Sequence, residues 1–371
     1  MPDHLVHRGS FPKLPVTARA DPGGVHTFLA ATRGRPVRSR KLALLIAPFL
    51  LLSMVPATVS AGGPSPEAQS RAEVLKYWTP EKMKSAKWLT VQYDKVAKEG
   101  KLVPRAGTNV GQSGGSLWPQ SATDDVTRGT GRVYFAFGRS AYICSGSVVT
   151  DNRTGYSVVL TAAHCVFDQK RQQFASQWLF IPAFDLSKTY TCASTTYGCW
   201  NSVAIRTRSE FTSSRKLTSN ALQHDWAFVT VAGGGKQANS NLQLDSQVGG
   251  SFGLEATSGV GQTMTAIGYP AASPYNGYEL AYCQNPVSTD PGTGGKTYKM
   301  VCDMTGGSSG GPWVRPTSGT TIGYTARLRS LNSYGYTGDD SMYGPIFNGK
   351  TTSTFNAADG ATSGNQALSG N

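Results

Sequence analysis

An all-β body preceded by a short helical segment is predicted for this chain. From Gly131 onward, short apolar runs alternate with turn residues, which is the signature of many short strands. The connections between those runs are rich in glycine, of which the chain holds 43, a composition that suits sandwiches and barrels. Roughly 220 residues follow this pattern, enough for one large β domain or two packed barrels of about 110 each.

In chain order, the first feature is a leader. Arg33, Arg35, Arg38, Arg40 and Lys41 precede an apolar run from Leu42 to Val55, and the small residues Val59-Ser60-Ala61 follow. Charge, apolar run and small-residue site together predict a secretory signal over 1–61. The apolar run is interrupted by Pro48 and falls short of the ~20 residues that span a bilayer. No stable membrane association is expected once the signal is cut.

Residues 62–128 read as a propeptide and linker. Ser65 to Tyr77 and Thr79 to Glu99 are rich in Ala, Glu, Lys and Met. Ser65-Pro66-Glu67 and Thr79-Pro80-Glu81 resemble helix starts with proline in the first turn. Gly107 to Thr130, rich in Gly, Ser and Thr, reads as a linker. A small binding module is the alternative for the helical part.

Strands are expected in Arg132–Phe137, Tyr142–Val149, Ser157–Thr161, Trp178–Pro182, Val203–Arg206, Trp226–Val231, Thr263–Gly268, Glu279–Cys283, Lys299–Cys302, Trp313–Arg315 and Thr321–Ser333. After Phe347 the chain turns to Ser, Thr, Gly, Asn and Ala, so 351–371 is expected to be a flexible tail.

The net charge of +13 suggests nucleic acid until it is divided along the chain. Residues 1–61 carry 8 basic and 2 acidic groups, residues 62–124 carry 9 and 6, and the rest carries 18 and 14. No basic run interleaved with aromatics stands out in the remainder, and nucleic-acid binding is not expected. The six cysteines, Cys144, Cys165, Cys192, Cys199, Cys283 and Cys302, behind a secretory signal read as three disulfides. Sequential pairing is expected because each bridge then closes a short loop. No pair has the short spacing of a zinc site, and neither metal nor cofactor is expected.

Three segments carry chemistry. In Cys302–Trp313, Ser309 is enclosed by Gly306, Gly307, Gly310 and Gly311. Glycine permits a sharp loop whose N–H groups lie against a ligand, and a serine so presented can attack a carbonyl while those groups stabilise the oxyanion. Thr161-Ala162-Ala163-His164-Cys165 follows the apolar run Val158-Val159-Leu160. Since His4, His7 and His26 fall in the leader, only His164 and His224 remain to act as base. Asp225 opens the apolar run Trp226-Ala227-Phe228-Val229, where a carboxylate at the core edge needs a partner such as an imidazole. Asp185 and Asp245 are its competitors.

T-A-A-H-C, then Asp before an apolar strand, then G-x-S-G-G-P, separated by 61 and 84 residues, resembles the trypsin-like (chymotrypsin-fold) serine peptidases over about 129–350. The tract Thr305–Gly310 and Gly268-Tyr269-Pro270 are similar to secreted bacterial members, including glutamyl endopeptidases. The resemblance implies two packed antiparallel barrels with the site between them, Ser309 as nucleophile, His164 as base and Asp225 as its orienter. It implies an oxyanion hole from the N–H groups of Gly307 and Ser309, and a polypeptide substrate. Ser333-Tyr334-Gly335 resembles the segment that pairs with substrate backbone, and Asp303 stands where a carboxylate selects Arg or Lys. Three departures stand out. Ser308 replaces the Asp that pairs with a new N-terminus on activation, Thr305 replaces an anchoring cysteine, and no histidine follows His224 to serve an acidic specificity pocket. A secreted, monomeric serine endopeptidase is the expectation. A catalytically inactive protease-fold binding module is the rival. A serine esterase of the α/β-hydrolase type would need a histidine after Ser309, and there is none.

Overall fold

The computed structural model describes residues 70–370 apart from 104–113, 120, 122, 185–189, 318, 320 and 321. The signal expected over 1–61, the competitor Asp185 and the first helix start at Ser65 lie outside the described residues. Helix α1 (Arg71–Tyr77) begins where the Ser70 side chain accepts from the Glu73 N–H and Glu73 returns a bond to Ser70, satisfying two of the donors that a helix start leaves unpaired. Helix α2 (Pro80–Ser85) is capped by Thr79.

The helix expected to run on to Glu99 stops at Ser85. It is replaced by three strands, β1 (Lys87–Trp88), β2 (Thr90–Asp94) and β3 (Glu99–Val103). β-Branched Thr90 and Val91 favour this, and Val91 and Tyr93, on one face, are both buried. Edge strands of the body supply backbone partners, and tertiary context of that kind overrides helix propensity. Asp94 accepts from the Val96 and Ala97 N–H groups to turn β2 into β3.

Strand β4 (Gly115–Leu117) leads to the body. There β5 (Thr130–Phe137), β6 (Ser140–Val149) and β7 (Ser157–Thr161) are followed by the short pair β8 (Phe167–Asp168) and β9 (Gln173–Phe174). Next come β10 (Ser176–Pro182), β11 (Trp200–Arg208) and β12 (Ala227–Val231). The order β6-β5-β10-β11-β12-β7 closes on itself through a β6–β7 ladder, so the six strands form a barrel. That ladder covers only Ser147–Val149 of β6, and the start of β6 keeps one edge open, where β1 pairs.

The second half contributes β13 (Gly253–Leu254), β14 (Thr263–Gly268), β15 (Ala281–Pro286), β16 (Ser288–Thr289) and β17 (Thr297–Val301). It ends with β18 (Pro312–Arg315), β19 (Arg327–Leu331), β20 (Tyr334–Tyr336) and β21 (Ser341–Pro345). These strands form two six-stranded sheets, β13-β19-β18-β14-β15-β4 and β16-β17-β21-β20-β2-β3. They share a separate cluster that includes Met264, Tyr298, Met300 and Trp313. The strand expected over Thr321–Ser333 is confined to Arg327–Leu331.

The tail expected after residue 350 is instead built into the fold. An 11-residue helix, Gly349–Asp359, is capped by Asn348, and β22 (Gly364–Leu368) pairs in parallel with β11. Composition hid this because few apolar residues are involved. Phe355 meets Phe228 edge-on at 5.5 Å, and the Ala358 carbonyl takes the Thr230 hydroxyl at 2.7 Å.

The disulfides are Cys144–Cys165, Cys192–Cys199 and Cys283–Cys302. No described helix is long and apolar enough to cross a membrane.

Candidate active site

His164 sits in a single 3-10 turn, Ala163–Cys165, directly after β7. The Cys144–Cys165 bridge ties that turn to β6. Asp225 precedes β12, the strand paired with β7, so adjacent barrel strands bring the two residues together. The Asp225 carboxylate is fully buried and accepts three bonds. They come from the His164 backbone N–H at 2.9 Å, His164 Nδ1 at 2.7 Å and the Ser333 hydroxyl at 2.5 Å. With the backbone N–H and the Ser333 hydroxyl donating beside it, the carboxylate takes its third bond from Nδ1 of the imidazole, which leaves Nε2 as the ring nitrogen not bonded to Asp225. His164 Nε2 is buried with no hydrogen-bond partner among the described residues.

His224, the other candidate base, is half-buried at the end of the helix Ser219–Gln223. Its Nδ1 donates to the Asn220 carbonyl at 2.9 Å, and burial lowers its pKa. It belongs to that helix end. Asp245 likewise lies in the helix Leu244–Val248 and binds the Ser246 N–H.

The Ser309 loop is held by backbone on both sides. The Gly310 N–H donates to the Asn332 carbonyl at 2.8 Å, and the Asn332 N–H donates to Gly311 at 2.9 Å. The Ser309 carbonyl accepts from the Ser145 N–H of β6 at 2.7 Å, which sets the loop against the barrel that carries His164. Gly307 and Gly310 have φ of 101° and 82°. A side chain at Gly310 would meet Thr161 Oγ1 at 2.3 Å, so close approach as well as conformation demands glycine there.

A carbonyl of the chain itself occupies the space in front of Ser309. The Leu89 oxygen, between β1 and β2, accepts from the Gly307 N–H at 3.3 Å and from the Ser309 hydroxyl at 3.1 Å. Gly307 therefore presents its N–H to a carbonyl oxygen beside the serine. On either side, β1 pairs in parallel with β6, Trp88 opposite Ile143, and β2 pairs in parallel with β20, Val91 opposite Tyr334. Of the segment Ser333-Tyr334-Gly335, the last two residues pair with β2, opposite Val91 and Gln92. Ser333 itself turns its hydroxyl to Asp225, and its N–H donates to the Tyr343 carbonyl at 2.9 Å.

Asp303 is buried and accepts the Tyr275 hydroxyl at 2.7 Å, while its second oxygen has no partner among the described residues. Burial first, and then this carboxylate, push the Tyr275 phenol well above its ordinary pKa. A side chain at Gly115 of β4 would collide with the same carboxylate, so Asp303 is packed beneath the segment that precedes the body. Ser308, at the position of the missing acid, gives its hydroxyl to the Thr305 carbonyl at 2.8 Å. Thr305, at the missing cysteine, bridges the N–H and carbonyl of Ala272 and anchors the loop without a disulfide at that point.

Sequence reasoning did not single out Ser145, Asn332, Asp290 or Leu89. Asp290 accepts from the hydroxyls of Tyr334 and Tyr336, each at 2.6 Å, and so braces β20. An isolated acid in a turn sequence carries no signal of that role.

Residues 144–323 match the trypsin-like peptidase domain family. Among solved structures, the protease Anisep from Arthrobacter nicotinovorans is 31% identical with a TM-score of 0.54, and the match covers 67% of this chain and all of that one. The thermostable serine protease AL20 from an extremophilic microorganism is also 31% identical, with a TM-score of 0.52 over 63% of this chain and 97% of that one. A Glu endopeptidase matches at 16% identity with a TM-score of 0.49, over 68% of this chain and all of that one. No curated protein sequence matches the chain. The barrel, the His164–Asp225–Ser333 hydrogen bonds, the family match and the likeness to Anisep and AL20 agree, and the chain belongs to the trypsin-like, chymotrypsin-fold serine peptidases.

Proposed function

We propose that this protein is a secreted serine endopeptidase that hydrolyses polypeptides through an acyl-enzyme on Ser309. The observation that carries the proposal is the Leu89 carbonyl, which takes hydrogen bonds from both the Gly307 N–H and the Ser309 hydroxyl. A scissile carbonyl in that position would have the nucleophile beside it and a donor on its oxygen. In this reading His164 Nε2 takes the Ser309 proton and later delivers it to the leaving amine. Asp225 holds the imidazole tautomer and stabilises the imidazolium. The N–H groups of Gly307 and Ser309 receive the oxyanion, each worth about 3–4 kcal/mol in the transition state. Tyr334 and Gly335 of β20 align the substrate backbone. Residues 1–61 act as the signal and 62–128 as propeptide and linker, and the peptidase body runs from 129 through the helix Gly349–Asp359 and β22. The mature protein is extracellular and monomeric. Three disulfides suit an oxidising compartment.

The expected outcome for Ser309→Ala is a folded protein whose turnover drops on the order of a million-fold. Peptide-library digestion with the processed enzyme and covalent labelling by a fluorophosphonate measure it. Equal activity from the variant, or no labelling of the processed wild type, would refute a serine nucleophile.

A further inference from the structure

The space in front of Ser309 is filled by the chain's own β1–β2 segment, through the Leu89 carbonyl. Lys87 and Trp88 lie opposite Tyr142 and Ile143 of β6, and Val91, Gln92 and Tyr93 lie opposite Tyr334, Gly335 and Tyr336 of β20. The segment therefore crosses from one half of the protein to the other as two short strands on either side of Leu89. It is parallel to both edges, with Leu89 at the crossing. Parallel and antiparallel partners meet an edge with differently slanted hydrogen bonds, so a chain of the opposite polarity would not reproduce these registers.

Remote contacts hold this polarity in place. The Arg71 guanidinium binds the carbonyls of Cys199 and Gly235, each at 2.7 Å. Trp78 Nε1 donates to the Gln177 carbonyl at 2.6 Å. The Tyr93 ring packs edge-on against both Tyr334 and Tyr336, and Lys95 sits 4.0 Å above the Tyr336 ring. Strand β3 closes the far side, where the Gly100 N–H donates to the Leu217 carbonyl and Lys216 pairs with Glu99.

We propose that residues 86–103 are a built-in inhibitor that seats in the cleft parallel to both edges, with the Leu89 carbonyl held on Ser309 and left uncut. The proposal rests on Ser309 being the nucleophile. Attack requires the Ser309 proton to point at His164 Nε2 and an oxygen lone pair to face the carbonyl carbon. Here the proton is donated to the Leu89 oxygen and Nε2 has no partner, so the hydroxyl and its base are uncoupled. Because the inhibitor is part of the chain, its effective concentration is ~mM. Modest intrinsic affinity then suffices, and separating the segment from the body relieves the block.

The test uses the full chain as secreted, before and after limited proteolysis that separates residues 62–103 from the body. Fluorophosphonate labelling of the intact chain should be slower on the order of a hundredfold, reflecting a small open population. A second arm locks the polarity. In Lys87→Cys with Tyr142→Cys, the parallel register puts the two positions directly opposite. A new bridge should therefore form on oxidation and keep the clipped protein unlabelled until mild reduction. Equal labelling of intact and clipped chains, or rapid labelling of the locked variant, overturns the proposal. Failure of the two cysteines to bridge in the folded chain also overturns it. If no form is labelled, the serine-nucleophile reading fails, and bridge formation alone then decides whether the segment sits as stated.

Discussion

At the scale of single residues, catalysis would depend on where one proton sits. The Asp225 carboxylate takes the His164 backbone N–H, Nδ1 and the Ser333 hydroxyl, and all of these are donors. Replacing it by an amide of the same shape puts an NH2 group where only acceptors belong. The imidazole can then satisfy that amide by accepting at Nδ1, which moves its proton to Nε2 and removes the base. Asp225→Asn should therefore stay folded and lose about 10⁴ in kcat, with fluorophosphonate labelling slowed in parallel. Unchanged labelling would mean that the carboxylate does not set the tautomer. The structure hydrogen-bonds His164 to Asp225 and turns Ser309 to the Leu89 carbonyl. The tracts that hold His164, Asp225 and Ser309 were legible in the sequence because the neighbours of each point the same way. Leu89 was not. Its role depends on a carbonyl, which every residue has, and on two edge strands far away in sequence.

At the scale of elements, residues 349–370 show how composition misleads. The stretch is poor in apolar residues, yet it is tied to β11 by charge and backbone. Arg206 donates to the Gly364 carbonyl at 2.6 Å, Arg208 donates to the Gly370 carbonyl, and Lys350 reaches Glu210 at 2.7 Å. Burial alone would raise the Glu210 carboxyl, but hydrogen bonds from Arg208 and Lys350 outweigh it and hold the pKa at about 2, against an ordinary 4.5. A folded pKa below the unfolded one stabilises fully above pH 4.5, and the contribution disappears as pH falls towards 2. The melting temperature of the wild type should accordingly fall more steeply over that window than that of Glu210→Gln. Thermal melts at a series of pH values measure the difference, and parallel curves would show that the cluster contributes nothing. The barrel strands themselves were legible, since β5, β6, β7 and β12 are continuously buried or nearly so. β1 to β3 were not, because the Ala, Lys and Glu around them favour helix and mask the β-branched Thr90 and Val91, whose strand pairs with β20 and β3.

At the scale of the whole molecule, the site exists where two halves meet, and one small residue of β6 holds the junction. Ser145 is fully buried. Its N–H donates to the Ser309 carbonyl, and its hydroxyl donates to the Gly307 carbonyl at 2.9 Å and accepts the Tyr269 N–H at 3.0 Å. Its own carbonyl takes the Thr161 hydroxyl at 2.8 Å, linking the loop to the strand that leads to His164. Ser145→Ala keeps the backbone bonds but strands the Gly307 carbonyl and the Tyr269 N–H in a dry interior, at about 1–3 kcal/mol for each unsatisfied group. The two losses differ in kind. The Tyr269 bond joins the halves and should register as stability alone. The Gly307 bond fixes the residue whose N–H meets the carbonyl oxygen, so its loss should lower kcat with little change in KM, by less than the ~10²–10³ of deleting an oxyanion donor outright. Denaturant titration of Ser145→Ala, alongside steady-state kinetics well below its transition, separates them. A variant that is less stable yet keeps full kcat would reduce Ser145 to a packing residue. A fall in kcat among fully folded molecules would place the serine of β6 among the groups that shape the oxyanion hole from the opposite half of the protein.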